Sequence, residues 1–137
     1  MLAIRHPVGM TPETAAWILK NERDTLGRHP EAVSVLRSLG YVQVIHGQPV
    51  GGEWPILAIE AAPRPEAPRT YFRRSTPEAS RGLFWCKRRF EALMHTLDRG
   101  GLVMHELVID PADLIAEYVM QTKGGLRSGG EFIADLS

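Results

Sequence analysis

Trp85 and the arginines around it are the residues of this 137-residue chain whose types and spacing best suit chemistry. Residues three and four apart are neighbours on a helix, so a helix through this stretch places Trp85 beside Arg81, Arg88 and Arg89. Guanidinium groups neutralise phosphates, and an indole ring can stack on a nucleobase. The pattern therefore predicts a nucleic-acid-binding face formed by Arg73, Arg74, Arg81, Trp85, Arg88 and Arg89.

The same face has two other interpretations, which the sequence leaves open. Trp and Arg are enriched in protein interfaces, so the face also fits an acidic protein partner or a second copy of the chain. In that case the protein is an interaction module such as an inhibitor, an adaptor or an assembly component. Alternatively, Trp85 is covered by the N-terminal half, with Arg89 stacked on its ring.

Positive charge is concentrated in residues 69–90. The whole chain carries 16 basic and 16 acidic side chains, but this segment has seven basic residues and only Glu78 as an acid. Residues 91–137 have three basic and eight acidic side chains. A basic segment in a neutral protein indicates an anionic partner. Packing of this segment beside the acidic C-terminal third is the alternative.

Other reactive residues lack the spacing that catalysis or metal binding requires. His105 and Glu106 begin a string similar to HExxH, but Ile109 occupies the position of the second histidine. Cys86 is the single cysteine and falls in an apolar stripe, which is typical of a buried small side chain. We therefore expect a non-enzymatic protein without a cofactor or metal. An enzyme that uses His95 or His105 in a cleft is the third alternative.

A long helix over residues 77–98 is predicted to position the basic face. Thr76 suits the N-cap, Pro77 the first helical position and Glu78 the N-terminal dipole. Apolar residues then recur in steps of three and four, as on one face of a helix. They are Ala79, Leu83, Cys86, Phe90, Leu93 and Leu97.

The remaining pattern predicts one α+β domain with four helices and a small, mainly antiparallel sheet. The proline-rich connector 62–68 is the one candidate boundary, between a helix–helix–hairpin unit in 1–61 and the remainder in 69–137. Residues 125–130 are expected to be a flexible tail, and a phosphate cradle formed by backbone N–H groups of residues 123–130 is the alternative. The other predicted helices cover 12–26, 30–39 and 111–122, and the predicted strands cover 41–46, 56–61, 102–109 and 132–136.

Residues 11–61 read as helix, helix, strand, glycine-rich loop and strand. In this order, VLRSLGYVQVIHG resembles the end of a recognition helix that enters the first wing strand of a winged helix-turn-helix domain, with GQPVGGEW as the wing tip. The resemblance implies binding to DNA through the second helix. The wing loop has no basic residue, and a helical pair packed on a hairpin is the alternative.

We expect a cytoplasmic protein, because the chain has no membrane-length apolar run and no apolar signal segment near Met1. The sequence as a whole favours a small regulatory protein that binds nucleic acid. A protein-interaction module that uses the same Arg/Trp face, with a homodimer as one form, is the second hypothesis.

Overall fold

The structure is a computed structural model that describes residues 10–22, 29–95 and 100–136. These residues form three α-helices, two 3₁₀ turns and seven β-strands. The helices are α1 (Pro12–Asn21), α2 (Pro30–Arg37) and α3 (Arg89–Met94), and the 3₁₀ turns span Pro77–Ala79 and Pro111–Asp113. The strands are β1 (Val42–His46), β2 (Ile56–Ala61), β3 (Arg69–Ser75), β4 (Phe84–Cys86), β5 (Val103–Ile109), β6 (Leu114–Thr122) and β7 (Gly125–Ala134).

All seven strands belong to one mixed sheet with the order β2-β1-β6-β7-β4-β3-β5. The pairing of β1 with β6 is parallel and the other pairings are antiparallel. The sheet therefore joins the hairpin of the N-terminal half to strands from the C-terminal half. The prediction of four helices on a small sheet is wrong, because most of the C-terminal half forms strands.

The long helix predicted over 77–98 is absent from the described part of that stretch. Pro77 begins a single 3₁₀ turn, and the chain then enters β4 and the six-residue helix α3. The helix start predicted at Asp110 behaves in the same way. The Asp110 carboxylate accepts a hydrogen bond from the backbone N–H of Ala112 at 3.0 Å, but the 3₁₀ turn passes directly into β6. In both places a helical turn begins as predicted and ends after one turn.

The predicted flexible tail is also wrong, because residues 125–134 form the long strand β7 at the centre of the sheet. It pairs with β6 on one side and β4 on the other. The strand expected over 132–136 is thus the end of a central strand, whose last residue is Ala134.

The N-terminal predictions agree better with the structure. Helices α1 and α2, the β1–β2 hairpin with its long loop and strand β5 all lie where expected. Gly40, shortly after the end of α2, has a φ of 84°. This is the left-handed conformation in which glycine commonly ends a helix. Residues 23–28, where the first helix was expected to end, lie outside the described residues.

The winged-helix resemblance is overturned by the pairing of β1 with β6. A wing hairpin would project from a helical domain, whereas β1 is inside the seven-stranded sheet. The two helices cover one face of this sheet. Helix residues such as Ala16, Leu19 and Leu36 pack there against Val44 and Tyr118.

Apolar side chains fill both faces of the central strands. One core cluster lies beneath α1 and α2, and the second lies on the opposite face around Trp85, Tyr71 and Phe132. Strands buried on both faces lose the alternating pattern of apolar and polar residues that marks a half-exposed strand. Within the described residues, no helix has the length and apolar character needed to cross a bilayer.

Candidate functional site

Trp85 lies in the protein interior and not on a binding face. Its side chain has 0% exposure, and its indole N–H donates a hydrogen bond to the backbone carbonyl of Gly82 at 2.9 Å. It packs with Tyr71 and Phe132 in the second core cluster. The structure thus matches the interpretation of internal packing in placing Trp85 inside the protein, although most residues of that cluster come from the C-terminal half.

The predicted arginines are spread over several surfaces. Arg81 donates to the Leu136 carbonyl at 2.8 Å, and Arg89 forms an ion pair with Glu106. Arg88 is exposed near the ring of Phe90 on α3. The structure therefore does not bring these three arginines together around Trp85.

Arg73 and Arg74 do line a common feature, a cleft of about 920 Å³ on the face of the sheet that α1 and α2 partly cover. Arg73 is held by the backbone, since its Nε donates to the Ala79 carbonyl at 3.0 Å and its Nη1 to the Phe84 carbonyl at 3.2 Å. The guanidinium fits closely against Gly82, where a Cβ would overlap it.

Glu131 lies at the floor of this cleft, on the fourth of the seven strands. Its carboxylate accepts a hydrogen bond from the Lys20 ammonium at 2.8 Å, and the two side chains are only 1% and 5% exposed. The register places Glu131 opposite Tyr118 on β6 and Cys86 on β4. Cys86 in turn is opposite Phe72, so these four side chains form one row across the sheet.

A bulge in β7 precedes Glu131. The register between β6 and β7 shifts from Tyr118–Glu131 to Val119–Ser128, which leaves Gly129 and Gly130 without opposed partners. Gly130 has a φ of 73°, and a Cβ there would overlap the Glu91 carboxylate on α3. Bulges bend a strand and redirect the side chains that follow, so this one helps to set the direction of Glu131.

His46 and Trp54 form the side of the cleft next to Lys20. The rings of His46 and Trp54 meet edge to face with centroids 5.1 Å apart, and the Lys20 Nζ lies 4.7 Å from the centroid of the Trp54 ring. Burial lowers the pKa of His46, and the nearby Lys20 charge lowers it further, although its hydrogen bond with the Gly47 carbonyl opposes the shift.

The cleft is rich in cations. Four Lys or Arg residues line it, together with His46 and His95, whereas Glu131 is the one carboxylate-bearing residue among the described lining residues. The cations are Lys20, Arg73, Arg74 and Arg127. The guanidinium of Arg127 is exposed and makes no ion pair with a described residue. The cleft therefore suits an anionic ligand.

Sequence reasoning missed most of these residues. Lys20, His46, Trp54 and Glu131 come from α1, β1, the loop before β2, and β7, so no local spacing connects them. One available signal was an acidic residue, Glu131, directly before the apolar run FIA. A charged residue next to a buried strand usually has a partner or a role.

Comparisons of the chain with protein-family models, with curated proteins and with solved structures found no match. The assignment of a function therefore depends on the geometry of the cleft.

Proposed function

We propose that this protein is a regulatory protein that binds single-stranded nucleic acid, with one unpaired nucleotide in the cleft. The observation that carries the proposal is the charge of the lining, which has four Lys or Arg residues and one acidic residue. Lys20 already offsets the charge of Glu131. A phosphate group is the anion that nucleic acids offer to arginines.

Arg127 and Arg74 are the residues for phosphate contact. Arg127 stands opposite Met120 on the β6–β7 ladder, and Arg74 is on β3 two residues beyond Phe72. Both residues line the cleft together with its aromatic residues, and Arg127 is exposed. A nucleotide with its phosphate at these two arginines and its base inside the cleft would contact both the charged and the aromatic residues of the lining.

The size of the cleft favours a single unpaired nucleotide over a duplex. About 920 Å³ is the volume of a small-molecule site. A base that is stacked and paired in a duplex cannot enter such a site without leaving its partner. Single strands present their bases freely, so the protein should prefer them.

Fluorescence anisotropy with a labelled single strand, and with its duplex as a second probe, tests this proposal at two or more salt concentrations. We expect binding to the single strand that weakens with salt, and Arg127→Glu should reduce the salt slope by about 0.7 for each phosphate that it no longer neutralises. Arg88→Glu is the matched control, because Arg88 is also exposed but lies next to α3, outside the cleft lining. Absence of binding at low salt, or an equal decrease in both variants, would contradict the proposal.

The second candidate function is an enzyme that acts on the bound ligand. The observation that favours it is the convergence of Glu131, Lys20 and His46 in one cleft, since buried titratable groups in a cleft are typical of active sites. Glu131 would then accept a proton from water or from a ligand hydroxyl. Incubation of nucleotides and oligonucleotides with wild type and Glu131→Gln, followed by chromatography, tests this. Unchanged ligands with the wild type would exclude it for those substrates.

A further inference from the structure

We propose that Trp54 is the surface on which the ring of the bound nucleotide stacks, and that Asn21 is the positioning residue that holds Trp54 there. The inference rests on the proposed function, because it names the ring site of the same cleft. It assigns to a different tryptophan the stacking role that the helical pattern predicted for Trp85.

Trp54 is the best of the four Trp, Phe and Tyr rings of the cleft for stacking. Phe84 and Tyr118 are 8% and 1% exposed, so they offer little surface to a ligand. Trp54 and Phe72 are half-buried. Each of these two rings has a cation over it, with the Arg89 Cζ 5.3 Å from the Phe72 centroid and the Lys20 Nζ 4.7 Å from the Trp54 centroid, so ring size decides between them. Trp54 is also the largest of these rings, and stacking strength grows with contact area.

Asn21 fixes the backbone of Trp54 through a two-way contact. The Asn21 Oδ1 accepts a hydrogen bond from the Trp54 backbone N–H at 2.7 Å, and the Asn21 Nδ2 donates to the Trp54 carbonyl at 3.0 Å. The same Nδ2 donates to the Trp17 carbonyl at 3.1 Å. Since Asn21 is the last residue of α1, this contact ties the loop between β1 and β2 to the helix.

The ring of Trp54 is fixed as well as its backbone. The Lys20 ammonium lies 4.7 Å from its centroid, and His46 contacts it edge to face. A side chain held in its binding position before the ligand arrives loses less conformational entropy on binding. Two adjacent residues of α1 therefore hold Trp54, Lys20 at its indole ring and Asn21 at its backbone.

Adenosine 5′-monophosphate and ribose 5-phosphate separate ring binding from phosphate binding. In calorimetric titrations we expect the wild type to bind the nucleotide more tightly, because only the nucleotide has an aromatic base that can stack on Trp54. Trp54→Leu should weaken nucleotide binding roughly 5- to 100-fold and leave ribose 5-phosphate unchanged. Trp54→Phe should retain much of the preference, since a smaller aromatic ring remains. Phe72→Leu, at the other half-buried ring of the cleft, tests the alternative stacking surface. Phe90→Leu, at an exposed ring outside the cleft lining, is the matched control and should behave as wild type.

The role of Asn21 is tested by Asn21→Ala, in a Trp17→Phe background that removes the fluorescence of the tryptophan on α1. Trp85 is 0% exposed and gives a constant signal, so changes report Trp54. We expect Asn21→Ala to raise quenching by acrylamide and to lower nucleotide affinity without changing that for ribose 5-phosphate. The nucleotide should protect Trp54 from quenching in the parent.

Three results would overturn the inference in distinguishable ways. If the wild type binds both ligands equally, phosphate binding stands and stacking on Trp54 is wrong. If Phe72→Leu reduces nucleotide affinity and Trp54→Leu does not, the ring lies on Phe72. If neither ligand nor a single strand binds at low salt, the proposed function fails together with the inference. Should Trp54→Leu not fold, the wild-type preference and the protection of Trp54 still decide the question.

Discussion

The ammonium of Lys20 lies 2.8 Å from the carboxylate of Glu131, although the two residues are 111 positions apart in the chain. Both side chains are almost fully buried, at 5% and 1% exposure. The pair ties α1 to the centre of the sheet at the floor of the cleft. Removal of one charge alone should cost stability, because the other charge stays buried.

Removal of Lys20 alone should therefore destabilise the protein strongly. We expect Lys20→Met to lower the free energy of unfolding by about 3–5 kcal/mol, because it leaves the charge of Glu131 buried without its ammonium. The double variant Lys20→Met/Glu131→Leu should recover most of this stability, since no buried charge remains. Urea denaturation measures the free energy of unfolding of both variants. A double variant as unstable as the sum of the two single variants would show that the pair is not coupled.

Protonation of His46 should make stability depend on pH. Burial lowers the pKa of His46 below its ordinary value of 6.5, so the unfolded chain binds a proton at a pH where the folded protein does not. Stability should be full above about pH 7 and should fall as the pH drops below 6.5. Tyr118, Lys20, Glu131 and His95 surround His46 and contribute their own charges or contacts.

Thermal unfolding of wild type and His46→Gln at several pH values measures this dependence. The variant should show a smaller decrease in stability between about pH 7 and pH 5, because one proton-linked group is gone. If stability falls with pH equally in the two proteins, groups other than His46 cause the pH dependence.

Trp85 should be important for stability and not for ligand binding. Trp85→Ala should lower the free energy of unfolding by about 3–5 kcal/mol, since it removes a fully buried ring and its hydrogen bond to Gly82. Trp17→Ala, at a half-buried tryptophan on α1, should destabilise less and provides the comparison. Denaturant titration measures the two effects. A folded Trp85→Phe protein that no longer binds nucleic acid would contradict this assignment.

Gly130 should tolerate no side chain. Its φ of 73° strains any other residue, and a Cβ would overlap the carboxylate of Glu91. We expect Gly130→Ala to destabilise by about 1–2 kcal/mol for the backbone alone and by more with the steric conflict. In the Glu91→Ala background the conflict is relieved and only the backbone effect should remain, which urea denaturation measures. Equal effects in the two backgrounds would show that Glu91 moves freely away.

Sequence signals that act within a few residues predicted the structure correctly. Thr76-Pro77 and Asp110-Pro111 do start helical turns, and Gly40 does follow the end of α2. Whether a turn continues as a helix depends on what the next residues pair with. After Asp113 those residues pair with β1 and β7 instead, so the predicted helix becomes β6.

The apolar pattern predicted a helix wrongly where a strand is buried on both faces. In β4 the side chains of Phe84 and Cys86 point to one face and Trp85 to the other, yet all three are buried. A short run of consecutive apolar residues cannot be assigned to a buried strand or to a buried helix by its periodicity alone. The Arg/Trp face was inferred from the predicted helix over 77–98. Because this stretch contains a strand and a short helix instead, the face does not form.

The sequence by itself determined the helices and strands of the N-terminal half, the β5 strand and the turns, because each depends on residues within a few positions of one another. Only the tertiary structure decided the cleft. Lys20, Trp54 and Glu131 meet because a parallel β1–β6 pairing and a bulge in β7 bring distant segments together. Such contacts depend on which strands become neighbours in the sheet, and no local spacing in the chain encodes that order.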